Sequence, residues 1–318
     1  MTYSLSHARR VVVVGAGNVG ASFAYALLLS GLAAEIVMVD ANKSKAEGEA
    51  MDMNHAVPLT HPTRIWAGDY SDCAGAAVIV ITAGSAQHPG ETRLDLLQRN
   101  AHIFNDIVSN IVRYTQDAIL VVATNPVDVL SYATWKLSGY PAQRVIGSGT
   151  ILDTARFRYL LSQYYGVDAR SVHAYIIGEH GDSEVPVWSL ANIGGMRLPD
   201  FCAMNGVGCV DDAMDDIFRQ TRDAAYEIIK LKGSSYYAVA AGLMRIVEAI
   251  LRDQRTVLSV SSLLNDYYGI NDVYLSLPTV ISGSGIDRVL RLRLSDEEVN
   301  GLRRSADVLQ KTIAQLQF

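Results

Sequence analysis

The sequence predicts an α/β protein: a doubly wound parallel sheet followed by an α+β lobe. Three observations predict it. Short β-branched runs alternate with longer helical patterns over the first half of the chain. Those runs are nearly continuous in apolar residues, as strands covered on both faces are. The second half then changes to long helices and to strand-like runs joined by a tight turn. At 318 residues the chain is long for a single core. The boundary is placed near Gly147–Thr150, giving units 1–148 and 149–318.

The expected strands of the first unit are Val11–Val14, Glu35–Val39, Arg64–Ala67, Val78–Thr82, Ile119–Ala123 and Val145–Ile146. Helical patterns at Val19–Leu29, Lys43–Asn54 and Leu94–Tyr114 supply crossovers, which are right-handed almost without exception. In the second unit Thr150–Tyr165 is a helix closed by Gly166, a residue suited to the left-handed conformation at a helix end. Val172–Ile177 alternates like one strand. Asp211–Leu231 and Ser235–Arg252 are long helices separated at Gly233. Val257–Ser262, Asp272–Ile281 and Ile286–Leu294 are strand-like, the last two joined through Gly283-Ser284-Gly285 as a hairpin. Ser295-Asp296-Glu297-Glu298 has the form of a capping box and opens a final helix.

Composition excludes several classes. With 49% hydrophobic and 19% charged residues, the chain is neither disordered nor fibrous. A net charge of −6, with no basic cluster denser than Arg9–Arg10 or Arg303–Arg304, argues against nucleic acid and anionic membranes as partners. The N-terminal MTYSLSHARR has no apolar stretch, so neither a signal peptide nor a membrane span is expected, and the cytoplasm is the expected location. Cys73, Cys202 and Cys209 cannot all pair and none lies in a CxxC, so buried or inert thiols in a reduced compartment are expected, and no metal site.

Gly15-Ala16-Gly17-Asn18-Val19-Gly20 is a GxGxxG that follows VVVV and opens a helix. Gly15 permits the tight turn, Gly17 the approach of backbone to a pyrophosphate, and Gly20 the close packing of helix on strand. The helix N-terminus then favours phosphate. Asp40 ends the second strand, where a carboxylate accepts from both ribose hydroxyls and repels a 2′-phosphate. Ala41-Asn42 offers no arginine to reverse that preference. This predicts a Rossmann-type unit that binds NAD rather than NADP.

Gly178-Glu179-His180-Gly181-Asp182 follows the apolar run AYII, and loops at the ends of buried strands present functional groups. Asp153 and Arg156 are three apart on a helix and share a face. Together these groups suit one reaction. Hydride removal from a C–OH carbon needs a base for the hydroxyl proton, and the reverse needs an acid, which a histidine supplies near neutrality. A buried carboxylate fixes the histidine tautomer, and an arginine holds a substrate carboxylate through two parallel hydrogen bonds. A second arginine beside the reacting oxygen polarises the carbonyl.

The segments VVVVGAGNVG, TAGSAQHPGETRLDLLQRN, IGSGTILDTARFR and HAYIIGEHGDSEVPVWS together resemble the L-lactate/malate dehydrogenases, over nearly the whole chain from about Arg10 to the last helix. The resemblance implies reversible hydride transfer between NADH and pyruvate by a homotetramer, with an α+β substrate and catalytic domain after the Rossmann-type domain. It implies that His180 donates and accepts the proton with Asp153 as its partner. Arg156 grips the substrate carboxylate, Arg93 on a closing loop polarises the ketone, and Asn125 bonds the substrate oxygen. Cofactor contacts are implied at Gly15, Gly17, Val19, Gly20, Asp40, Lys45, Tyr70, Ala83, Gly84, Ala123, Thr124, Asn125 and Ser148.

The resemblance also bears on substrate choice. Malate-type members carry arginine where this chain has Gln87, and lactate-type members carry glutamine; GETR is likewise the lactate-type form. A second carboxylate, as in oxaloacetate, would be buried unpaired in a closed pocket at a cost of several kcal/mol. Glu91 adds to that penalty, while the adjacent His88 is read as facing solvent or backing the loop. The alternatives are a malate dehydrogenase of the lactate-like branch and a broader L-2-hydroxy-acid dehydrogenase. Ser235 stands where lactate-type members usually have threonine, leaving room for larger 2-keto acids by about 1 kcal/mol. Arg158 and His173 match the fructose 1,6-bisphosphate site of the allosteric bacterial members. NAD-dependent glycosidases share a related fold, but none of the three cysteines falls in the matched segments to hold their metal.

Overall fold

The computed structural model describes residues 9–85, 92–209 and 211–316. The first unit builds β1 (Arg10–Val14), α1 (Asn18–Ser30), β2 (Glu35–Val39), α2 (Lys43–Ala56), β3 (Arg64–Ala67), β4 (Val78–Ile81), α3 (Arg93–Ile111), β5 (Ile119–Val122), α4 (Val127–Ser138) and β6 (Val145–Gly147). These six strands pair in parallel in the order β3-β2-β1-β4-β5-β6. All residues of β2, β4 and β5 are buried, so the valine and isoleucine runs serve both faces at once. The order reverses between β1 and β4, and an α/β sheet opens a ligand crevice at the carboxyl ends of its strands at such a point.

The second unit begins with α5 (Ile151–Tyr165), which ends at Gly166 with φ +64°, as its sequence requires. The stretch expected as one strand is two: β7 (Val172–His173) and β8 (Ile176–Ile177). β7 pairs with β10 (Asn192–Ile193), itself joined to β11 (Met196–Arg197), whereas β8 pairs with β9 (Val185–Pro186). The alternation of apolar residues is retained, but the two halves of the run serve different small sheets. Then follow α6 (Leu198–Asn205), α7 (Asp211–Lys232), α8 (Tyr237–Leu251), β12 (Thr256–Leu264), β13 (Val273–Ser282), β14 (Gly285–Val289) and α9 (Asp296–Ile313). The hairpin at 283–285 forms, with Ser282 opposite Gly285, but β14 stops at Val289 rather than Leu294.

The antiparallel strands do not build a separate sheet. β12 pairs with β6 at Ser261 opposite Gly147, so β12, β13 and β14 extend the parallel sheet to nine strands. Every residue of β13 is buried. Gly149, at the junction, packs so closely that a Cβ would lie 2.5 Å from Ser261 N and 2.4 Å from Ser276 Oγ. The cysteine expectation is overturned: Cys202 and Cys209 form a disulfide that ties α6 to the chain entering α7. The pair is seven residues apart and brought together by the turn after α6, a spacing that carries no CxxC-like signal. Cys73 is buried and unpaired, and burial pushes its thiol up to about 12.

The capping box of α9 is present and does a second task. Ser295 Oγ accepts from the Glu298 N–H at 3.2 Å, and Glu298 Oε2 accepts from the Ser295 N–H at 2.8 Å. Glu298 is buried, and it also accepts from the N–H of Ser189 at 2.9 Å and its hydroxyl at 2.6 Å. Ser295→Ala should therefore cost about 1 kcal/mol of stability. Glu298→Ala should cost more, because it also strands the donors of Ser189. Denaturant unfolding of both variants checks the order; equal losses would show that the Ser189 contacts contribute nothing.

Candidate active site

The crevice at the β1/β4 reversal is built by backbone geometry. Gly15 has φ +112°, a conformation L side chains rarely adopt, and a Cβ there would strike Ala83 N at 2.5 Å. At Gly20 a Cβ would lie 1.9 Å from the Gly15 carbonyl oxygen, so α1 rests directly on the turn. At Gly17 nothing lies within 4 Å of a Cβ position, leaving an open cradle at the α1 N-terminus. A pyrophosphate fits that space and finds free helix N–H donors there.

Asp40 accepts from the N–H groups of Ala16 at 2.6 Å and Asn42 at 2.8 Å, which fixes its carboxylate at the end of β2. Each oxygen keeps accepting capacity for a sugar hydroxyl. Lys45 is exposed in the first turn of α2. Tyr70 is half-buried, and burial pushes its hydroxyl up to about 12. Thr124 donates its hydroxyl to the Ala83 carbonyl at 2.8 Å and packs where a side chain at Gly84 would be. Ser148 is buried after β6, its N–H bonded to Val122 O at 2.8 Å. With Val19 and Ala123, these residues follow the carboxyl ends of β1 to β6, the edge at which an α/β sheet takes a dinucleotide.

Beyond that edge lies a cavity of about 360 Å³ lined by Asn125, Asp153, Arg156, His180, Glu184 and Arg222, among others. The sequence spreads these groups from 125 to 222, and the fold brings them together. Asp153 is buried on α5 and divides its carboxylate between two partners. Oδ2 meets His180 Nδ1 at 2.5 Å, and Oδ1 accepts from Arg156 Nη1 at 3.1 Å. With Nδ1 committed, Nε2 is the ring nitrogen left for a ligand. Burial opposes the imidazolium, but the adjacent Asp153 outweighs it, with help from Asp128, and His180 rises to about 9.

The His180 loop is held from three sides. Gly178, at φ +93°, exchanges backbone hydrogen bonds with Ser276 of β13 at 2.9 and 3.0 Å. The Glu179 N–H donates to Ser305 Oγ of α9 at 2.6 Å. The His180 N–H donates to Asp128 Oδ2 of α4 at 2.8 Å. Burial pushes Asp128 up to about 6, against the pull of the Ser261 hydroxyl and the His180 N–H. Asn100 Oδ1 accepts from the Ser85 N–H at 2.8 Å, while its amide donates to the Asn125 carbonyl at 3.4 Å, linking the start of the 85–92 segment to the cavity.

Sequence reasoning missed Asp128, Asn100, Glu184 and Arg222. Asp128 sits three residues after Asn125, and a buried acidic residue on an otherwise apolar helix was the available signal. Gln87, His88 and Glu91 lie outside the described residues, as does the side chain of Arg93. The Arg93 backbone begins α3, behind a Thr92–Asp95 capping box. Ser235 is half-buried between α7 and α8, and the described residues lining the cavity do not include it. Arg158 on α5 donates to Ala169 O at 3.3 Å, and burial lowers its affinity for the proton; His173 is exposed on β7.

Comparison with known proteins gives a consistent result. The family described as lactate/malate dehydrogenase, NAD binding domain, matches residues 9–147, and the lactate/malate dehydrogenase, alpha/beta C-terminal domain, matches residues 150–317. The chain is 53% identical over 308 residues to an L-lactate dehydrogenase of Acetivibrio thermocellus, covering 97% of each chain. It is 54% identical to an L-lactate dehydrogenase of Priestia megaterium, covering 96% of this chain and 95% of the other. Among solved structures it is similar to a minor L-lactate dehydrogenase from Enterococcus mundtii in a ligand-bound form. That match has TM-score 0.95 and 40% identity, covering 98% of this chain and 99% of the other.

The His180–Asp153 pair has a measurable signature. The folded pKa of about 9 exceeds the ordinary value of 6.5. The pair's contribution to stability is therefore present in full below the unfolded pKa and lost as pH rises through about 9. NMR titration should find His180 still protonated at neutral pH, and Asp153→Asn should lower its midpoint. An unchanged midpoint in that variant would remove Asp153 as the cause.

Proposed function

The chain belongs to the lactate/malate dehydrogenase family, and on that premise we propose that it is an NAD-dependent L-lactate dehydrogenase, interconverting pyruvate and L-lactate. The observation that carries the proposal is the single buried carboxylate of Asp153 holding both His180 and Arg156 at one cavity. The dinucleotide unit is taken as residues 1–148 and the substrate unit as 149–318.

The chemistry that the dinucleotide supplies when bound is transfer of a hydride to or from the carbon bearing the substrate oxygen. The protein supplies the rest. Arg156 pairs with the substrate carboxylate and fixes its orientation through charge-assisted hydrogen bonds. His180, protonated at neutral pH, donates from Nε2 to the developing alkoxide and recovers that proton in the reverse direction. Asp153 holds the imidazole tautomer and stabilises the imidazolium. Asn125 bonds the substrate oxygen, and Arg93 polarises the carbonyl. Gly15, Gly17, Val19, Gly20, Asp40, Lys45, Tyr70, Ala83, Gly84, Ala123, Thr124 and Ser148 hold the cofactor. Gln87 selects pyruvate over oxaloacetate, since a neutral amide tolerates a methyl group and leaves a second carboxylate unpaired, and Ser235 widens the methyl side of the pocket.

The proposal extends to a homotetramer acting in the cytoplasm, although disulfides such as Cys202–Cys209 are rare in that compartment. It also extends to activation by fructose 1,6-bisphosphate at Arg158 and His173 of paired subunits, where four cationic groups would face two phosphates. No helix among the described residues is long and apolar enough to cross a membrane.

NADH oxidation with pyruvate and with oxaloacetate, side by side, tests the central reading. Pyruvate should be strongly preferred, Gln87→Arg should shift the preference toward oxaloacetate, and His180→Asn should lower kcat by roughly 10²–10⁴. A native preference for oxaloacetate would favour the malate-type alternative. Pyruvate saturation curves with and without fructose 1,6-bisphosphate should differ in half-saturation, and Arg158→Gln should abolish the difference; identical native curves would remove the effector site.

A further inference from the structure

One group in the substrate cavity has no part in the mechanism above. Glu184, just before β9, lines the same cavity as Arg156 and His180, yet it is only 7% exposed. Its Oε1 is buried and has no hydrogen-bond partner among the described residues. A carboxylate left so costs far more than a neutral acid. The charged groups around it come from every neighbouring element. α5 brings Asp153 and Arg156, the catalytic loop brings His180 and Asp182, and α7 brings Arg222 and Tyr226. Among the described side chains α3 contributes Leu96 and Leu97, and α9 meets β9 through Gly301 against Val185. Arg222 is engaged by Asp223 at 2.9 Å and Arg156 by Asp153 at 3.1 Å, and the pull of these two guanidiniums on the Glu184 carboxyl is smaller than the push of burial and of Asp153.

We propose that Glu184 is a specificity-determining residue that reserves this cavity for one carboxylate: a substrate carboxylate on Arg156 and an ionised Glu184 side chain exclude each other. The inference rests on the reading of the site as one for 2-keto acids. Two carboxylates sharing one small site cannot both ionise cheaply, so binding of one favours the protonated form of the other. Burial, then the nearby Asp153, holds the Glu184 carboxyl well above the usual carboxylate range. At neutral pH Glu184 is then a neutral wall, and the cavity accepts the acid. As pH rises, Glu184 ionises and repels it, in addition to the loss of the proton on His180.

Two measurements test this. The first is the pH dependence of pyruvate KM and kcat for the native enzyme and for Glu184→Gln. At neutral pH the two KM values should agree within about twofold. In alkaline solution native KM should climb by more than tenfold per pH unit, because two protons are lost, while the variant should approach tenfold per unit. A native rise of only tenfold per unit, superimposable on that of the variant, overturns the inference. Native enzyme without pyruvate turnover overturns the reading of the site and the inference with it. The second measurement needs no variant. Calorimetry of oxamate, an amide isostere of pyruvate, binding to NADH-loaded native enzyme in buffers of different ionisation enthalpy counts the protons taken up. In alkaline solution uptake above one proton per site supports the inference, and uptake of one or fewer overturns it.

Discussion

The substrate side of this protein depends on one buried carboxylate. Asp153 is 2% exposed, and both of its oxygens are used, one on the His180 ring and one on the Arg156 guanidinium. Removing one member of such a buried, paired set costs about 3–5 kcal/mol, since it leaves the others desolvated and uncompensated. The same arrangement makes His180 basic and aims Arg156, so imidazole and guanidinium are positioned by one atom group. Their spacing is therefore set by the width of a carboxylate rather than by two independent loops.

That precision needs a rigid frame, and the nine-stranded sheet supplies it. α5, which carries Asp153 and Arg156, starts directly after β6 and the close-packed Gly149. β13, wholly buried, meets the His180 loop at Gly178. Because β12 joins β6, the element holding the histidine loop and the strand end launching α5 belong to one hydrogen-bonded layer. α4 and α9 complete the hold through Asp128 and Ser305. His180 is thus on a loop whose backbone is bonded like a strand, which suits the proposed role of a group that must meet its ligand within a fraction of an ångström.

Charge distribution in the cavity follows from the same packing. Asp128 stabilises the loop and, with Asp153, favours the imidazolium. Glu184, whose Oε1 has no hydrogen-bond partner among the described residues, is pushed up further, by burial and then by Asp153. Asp128 and Glu184 are both pushed up by burial, but Asp128, which accepts from the His180 N–H, only to about 6 and Glu184 to about 9, so they hold opposite states near neutrality. Environment decides which is an anion and which a neutral wall.

The sequence by itself determined the parallel strands, the glycine turn, the carboxylate of Asp40 at the end of β2 and the shared helix face of Asp153 and Arg156. These depend on short-range rules: β-branched runs make strands, a glycine triple after a strand makes a phosphate turn, and a three-residue helical spacing puts Asp153 and Arg156 on one face. Only the tertiary structure decided that the second unit extends the first sheet, that Val172–Ile177 divides between two sheets, and that Cys202 meets Cys209. It also decided that Asp128 reaches the His180 backbone across 52 positions and that Glu184 faces the cavity. Such contacts link residues far apart in the chain, and a buried polar side chain acquires its role from whatever packs around it. No local pattern encodes that surrounding, because it exists only once β13, α4 and α9 have closed over the loop.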